Sequence, residues 1–172
     1  MFDTAAVKIT NEVLDIANRL DLCREDDFYF LKDLFGKEVK VAAGAYRIAI
    51  IFPTFIVKVS HMSNRSPEYA RYSMTREFEF ISKARKNPLL QPFFPETKIV
   101  KHRRSGAVAL LQERIQYIGS GRPPRKNWEY RNFWTSFEQA LGISTDMHEY
   151  NFGWRKVGKD YVPVYVDVDH TD

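Results

Sequence analysis

An α+β fold is predicted by three observations. Apolar residues recur at helical spacing in the first 36 residues, and the period turns strand-like over residues 37–60. Helical and strand-like stretches then alternate to the end of the chain. With 172 residues, 44% of them apolar, there is material for one domain with a real core or for two small lobes sharing one.

Taken in order, residues 3–20 place Val7, Val13, Ile16, Ala17 and Leu20 on one helical stripe, with Asp3 or Thr4 available as the N-cap. A second short helical stretch, "EDDFYFLKDLFG", stops at Gly36. "KEVKVAAGAYRIAIIFPTFIVKVS" (37–60) is rich in Val, Ile, Phe and Tyr and is broken at Gly44 and "FPT", which predicts three successive antiparallel strands. Helical spacing returns over residues 68–86, where Met74, Phe78, Ile81 and Ala84 form a stripe. "NPLLQPFFPE", with three prolines, cannot continue that helix. "TKIVKH", a polar "RRSG" turn and "AVALLQERI" predict a hairpin. Residues 119–124, "GSGRPP", form the best linker candidate. From Asn127 to Leu141 the residues Tyr130, Phe133, Trp134, Phe137, Ala140 and Leu141 predict an aromatic helix. "NFGWRK", a "VGKD" turn and "YVPVYVDVD" predict a last hairpin that finishes in acids.

The net charge is +4, with basic residues gathered in "KHRRSG" (101–106) and "GRPPRKNWEYR" (121–131). Such turns are either simply solvated or face an anionic partner; charge alone specifies no groove. Cys23 is the only cysteine, which excludes an internal disulfide and a cysteine-based zinc site. The first twenty residues lack a basic n-region and an uninterrupted apolar stretch, and no apolar run reaches membrane-spanning length. A cytoplasmic protein with no membrane partner is the expectation.

Four features carry candidate chemistry. Gly44 and Tyr46 sit in a turn between two strands, where backbone N–H groups free of Cβ obstruction can lie over phosphates. Lys58 is a lone cation in the apolar strand "FIVKVS", costly unless its head reaches water or a partner. Glu77 lies one turn from Met74 and Ile81, at the edge of the stripe, and is the better candidate to meet Lys58. Glu79 instead sits four residues before Lys83, where it can pair on the surface. Asp146 and Asn151 are five apart in "TDMHEYNFGW", and a hairpin would bring Asn151 to the same end as Asp167. A phosphoryl-transfer site needs a carboxylate near the attacking hydroxyl and oxygen ligands for Mg²⁺.

This order of glycine turn, strand lysine, helix glutamate, D-x-x-x-x-N loop and strand-terminal Asp resembles the protein-kinase-like fold, from about residue 37 to 169. "TDMHEYNFG" is similar to the D-x-H-x-x-N loop of aminoglycoside phosphotransferases and related atypical kinases, and "VPVYVDVD" is similar to their metal-binding strand. Short kinase-like proteins of bacteriophages have comparable text. The resemblance implies a minimal two-lobe fold: a helical extension (1–36), an N-lobe with an antiparallel sheet (37–118), and a reduced helical C-lobe (119–172) with catalytic loop and metal-binding hairpin. It implies ATP and Mg²⁺ as cofactors. Gly44 and Tyr46 would cover the nucleotide phosphates, and Lys58 would bind them while paired with Glu77. "LLQERI", with Gln112, Glu113 and Ile115, would be the hinge whose backbone meets adenine. Asp146 would be the catalytic base, with Asn151 and Asp167 on the metal and Asp169 a rival to Asp167. His148 would order the loop.

A minimal ATP- and Mg²⁺-dependent phosphotransferase acting on protein Ser/Thr side chains is therefore the leading expectation. A kinase-like protein that binds and inhibits a host protein, in the host cytoplasm if phage-encoded, is the alternative. A nucleic-acid-binding module using the basic turns with Tyr130 or Trp128 is the third reading. Five residues follow Asp167, so a truncated C-lobe is expected, and a dimer would be one way of supplying what it lacks.

Overall fold

The computed structural model describes residues 2–18, 25–43, 47–60, 67–115, 117–118, 135, 138–139 and 151–167. The chain is α+β and divides into two compact units, Met1–Glu79 with Glu96–Arg114, and Phe80–Pro95 with Ile115–Asp172.

The first unit is built on a five-stranded antiparallel sheet of β1 (Lys40–Ala43), β2 (Arg47–Ile51), β3 (Phe55–Ser60), β4 (Thr97–Lys101) and β5 (Val108–Glu113), in the order β1-β2-β3-β5-β4. The three strands expected over 37–60 and the hairpin over 97–115 are all present. The β4–β5 turn closes at Gly106, whose φ of 68° suits a residue without a Cβ. Because side chains alternate along a strand, pairing of Ala49 with Lys58 and of Lys58 with Leu110 puts Arg47, Ala49, Ile56, Lys58, Leu110 and Gln112 on one face. Ile48, Ile50, Val57, Val59, Ala109 and Leu111 fill the other.

That second face carries the main core. Helix α1 (Thr4–Ala17) packs Ala6, Val13 and Leu14 against it, and α2 (Glu25–Phe35) adds Leu31. Phe52 stacks on Phe55 at 4.6 Å and meets Phe35 edge-on at 5.4 Å. Helices α1 and α2 thus both contribute side chains to this unit's core. The N-cap of α1 is Asp3, whose Oδ1 accepts from the Ala6 N–H at 2.7 Å. Its buried stripe is Ala6, Thr10, Val13 and Leu14, turned from the expected one; Val7, Ile16 and Ala17 lie at the margin and Leu20 outside the described residues. Thr10 can be buried because its hydroxyl donates to the Ala6 carbonyl at 2.7 Å. Helix α2 ends at Gly36, φ 102°, as its sequence predicts.

Helix α3 (Pro67–Arg85) covers the Lys58 face, where Met74 and Phe78 pack with Val108, Leu110 and Ile99. Its expected stripe of Met74, Phe78, Ile81 and Ala84 is observed, with Ile81 and Ala84 in the core of the second unit.

The second unit holds a short 3-10 turn (Gln91–Phe93) and a three-stranded antiparallel sheet of β6 (Tyr117–Ile118), β7 (Phe152–Val157) and β8 (Asp160–Tyr165), in the order β6-β7-β8. The predicted last hairpin is β7–β8, turning at Gly158, φ 62°. Pro163 is accommodated because β8 is at the sheet edge among the described residues. Ile81, Ala84, Phe94, Trp154 and Tyr165 form the core. Arg155 fastens the proline-rich segment by donating to the carbonyls of Pro92 (2.7 Å) and Phe94 (3.2 Å), and Arg85 donates to the latter at 2.7 Å. The "GSGRPP" segment and the aromatic helix expected over 127–141 lie outside the described residues, apart from isolated positions. Among the described residues no helix is long and apolar enough to cross a membrane.

Candidate functional site: a buried lysine–glutamate–arginine cluster

β3 is buried at every position but its last, and Lys58 is only 6% exposed. Its neighbours across the sheet are Ala49 and Leu110, so neither adjacent strand offers the ammonium a polar side chain at that level. Helix α3 supplies one. Lys58 Nζ donates to Glu77 Oε1 at 3.0 Å, and Glu77 is completely buried. Of the two glutamates the sequence leaves open, Glu77 takes the inward position, and Glu79 is exposed.

Arg47, at the start of β2 and on the same face as Lys58, donates through Nη1 to the other carboxylate oxygen, Oε2. Its second arm, Nη2, reaches Ser73 Oγ at 2.8 Å, one turn before Glu77. One buried carboxylate therefore accepts from two cations on adjacent strands, and α3 is tied to β2 and β3 together. Charge-assisted bonds in a low-dielectric interior are short and strong, and they hold side chains in one rotamer. Sequence reasoning missed Arg47. Alternation within β2 puts Arg47 on the face of Ala49, and the β2–β3 register makes that the face of Lys58.

The second predicted grouping is also partly visible. Phe152 pairs with Tyr165, and beyond that register the N–H groups of Val166 (2.7 Å) and Asp167 (3.2 Å) both donate to the Asn151 carbonyl. Asn151 and Asp167 therefore stand at the same end of the β7–β8 hairpin, both half-buried. An amide oxygen and a carboxylate are hard donors of the type Mg²⁺ takes, and that ion is commonly held by one or two carboxylates with water and phosphate completing the shell. Among the described residues no group of three or more His, Cys, Asp or Glu side chains forms a cage. Asp146, Gly44, Tyr46, His148 and Asp169 lie outside the described residues.

Of the residues expected to form a hinge, Gln112 and Glu113 are in β5, and Ile115 follows, buried with Val164 and Val166. The Glu113 N–H donates to the Glu96 carbonyl at 2.8 Å, and its carboxylate accepts from the Glu96 N–H at 3.0 Å. That amide is thus already engaged within the sheet. Gln112 is fully buried; its Nε2 makes a long contact of 3.4 Å to Thr97 Oγ1, and its Oε1 has no hydrogen-bond partner among the described residues.

Compared with protein-family models, with curated proteins and with solved structures, the chain gives no match.

Proposed function

We propose that this chain is a minimal phosphotransferase of the protein-kinase-like type, using ATP and Mg²⁺ to phosphorylate a hydroxyl, with protein Ser/Thr side chains as acceptors. The reading rests on one observation above all: a lysine buried in the third strand is held at 3.0 Å by a fully buried glutamate from the following helix. In protein kinases a lysine on the third strand and a glutamate on the next helix must be paired for the phosphates to be bound. A buried, clamped ammonium needs no reorganisation when charge develops on a phosphoryl oxygen, which is where electrostatic catalysis gains most.

Each residue then has a defined task. Glu77 fixes the direction of the Lys58 ammonium, and Lys58 neutralises phosphate oxygens. Arg47, donating to the other carboxylate oxygen, holds Glu77 in place. Asn151 and Asp167 would hold Mg²⁺, which when bound supplies charge neutralisation to the phosphates. Asp146 would accept the proton of the attacking hydroxyl, and Gly44 and Tyr46 would cover the nucleotide. Little covalent work falls to the protein; catalysis is positioning and charge.

The test is transfer of the γ-phosphate from ATP to the protein itself or to a Ser/Thr-rich protein such as casein, with and without Mg²⁺. Lys58→Met and Asp146→Asn are each expected to lower the rate on the order of a hundredfold or more. Absence of Mg²⁺-dependent transfer in the wild type, or an Asp146→Asn variant as fast as wild type, overturns the proposal.

A further inference from the structure

A cavity of about 250 Å³ opens in the first unit where the end of α1, the end of β3, the first half of α3 and the β4–β5 turn meet. Leu14, Val59 and Met74 make an apolar wall, and Asn18, Arg71 and Ser105 line it with polar groups. Those groups are already arranged. Ser105 Oγ accepts from Asn18 Nδ2 (2.9 Å) and from the Ala107 N–H (3.2 Å), so its own proton is left for His102 Nδ1 at 2.9 Å. The opposite ring nitrogen, Nε2, lies 3.0 Å from Asp15 Oδ1. This chain of bonds fixes the turn and engages the nearby carboxylate of Asp15.

Arg71 is treated differently. Its guanidinium lies over Gly106, with Nη2 3.6 Å from the position a Cβ there would occupy, and it forms no ion pair among the described residues. Lys101, Arg103 and Arg104 stand in or beside the same turn. An apolar pocket with a guanidinium at its lining and a basic rim is complementary to an anion with an apolar tail. A planar carboxylate matches the guanidinium fork in two parallel bonds. At about 30 Å³ for each water's share of liquid volume, the space corresponds to roughly eight waters, hence to a ligand of about eight heavy atoms.

We propose that this cavity binds a small aliphatic carboxylate, its tail against Leu14, Val59 and Met74 and its head on Arg71. The position has a consequence that rests on the phosphotransferase reading, whereas the binding itself does not. Arg71 and Met74 stand six and three residues before Glu77 on α3, and Ser73 between them holds Arg47. A ligand there holds the helix that presents Glu77 to Lys58, so it would raise the affinity for ATP, and ATP would raise the affinity for it by the same factor.

The test uses hexanoate, which has eight heavy atoms, and hexan-1-ol as the uncharged comparison, titrated into protein carrying ¹³C-methyl methionine. The Met74 methyl is expected to shift saturably with hexanoate, and the affinity to fall about tenfold or more in Arg71→Met and with hexan-1-ol, the loss of one charge-assisted contact. Arg71 is exposed, so the variant retains its fold. No saturable shift at Met74, or equal hexanoate affinity in Arg71→Met, overturns the site. A hexanoate site that leaves ATP affinity unaltered removes the coupling alone, and failure of ATP to bind removes the phosphotransferase reading while the site stands.

Discussion

Replacing Glu77 by glutamine keeps the shape of the side chain and removes its charge, leaving Lys58 and Arg47 buried without the carboxylate that both now contact. Each charge-assisted bond is worth roughly 1.5–3 kcal/mol, so losing two predicts a cost of about 3–6 kcal/mol. Breaking a buried pair by removing one partner costs about 3–5 kcal/mol by independent measure, so the lower part of the range is expected. For a chain of this size that corresponds to a fall in Tm on the order of 6–20 °C. Glu79→Gln, two residues along the same helix but exposed, is the control and is expected within about 0.5 kcal/mol of wild type. Urea denaturation by circular dichroism gives the stability difference. Amide hydrogen exchange in β2 and β3 locates it, because loss of protection should concentrate where Arg47 and Lys58 are anchored. If Glu77→Gln is no more destabilising than Glu79→Gln, the two cations do not depend on Glu77 and the reasoning fails.

Three further changes test other parts of the fold. Gln112→Leu removes a buried acceptor that has no partner among the described residues and only a long contact on its other atom, so stability without nucleotide should be unchanged or rise by about 1 kcal/mol; a loss greater than that in a urea titration would contradict the orphaned Oε1. Asp3→Ala removes the α1 N-cap and should cost about 1 kcal/mol, with hydrogen exchange faster in the first turn of α1 and unaltered in α3. Trp154→Ala empties the centre of the second unit's core, where Trp154 is 1% exposed, and should cost about 3–5 kcal/mol by calorimetry; less than 1 kcal/mol would mean that the ring is not the packing centre.

The Lys58–Glu77 contact was legible because two periods converge on it. A lysine inside an apolar strand and a glutamate one turn from a helical stripe have few ways to be satisfied except by each other. Burial of the strand on both faces was not legible, since an antiparallel strand can equally leave one face in water. Arg47 escaped notice because its role depends on the β2–β3 register, and register is set by the turn and the neighbouring core. The rotated face of α1 has a similar cause: the sheet selects Ala6 for close approach and tolerates Thr10 because the hydroxyl is satisfied within the helix. Engagement of the Glu113 amide by Glu96 depends on how β4 lies against β5, which spacing along the chain does not reveal. The meeting of Asn151 and Asp167 was legible for the opposite reason, because a tight turn at Gly158 fixes which residues lie across from each other.

The central claim is tested most directly by thermal denaturation with ATP and Mg²⁺ on wild type, Lys58→Met and Asp167→Ala, each compared with its own nucleotide-free Tm. A ligand that binds only the folded chain stabilises it by about 2.7 kcal/mol at a concentration one hundred times its Kd, a rise on the order of 5–10 °C here. The account predicts such a rise for wild type only when Mg²⁺ is present, and its loss in both variants. A Tm that ATP and Mg²⁺ leave unmoved in wild type, or that rises equally in all three proteins, contradicts it.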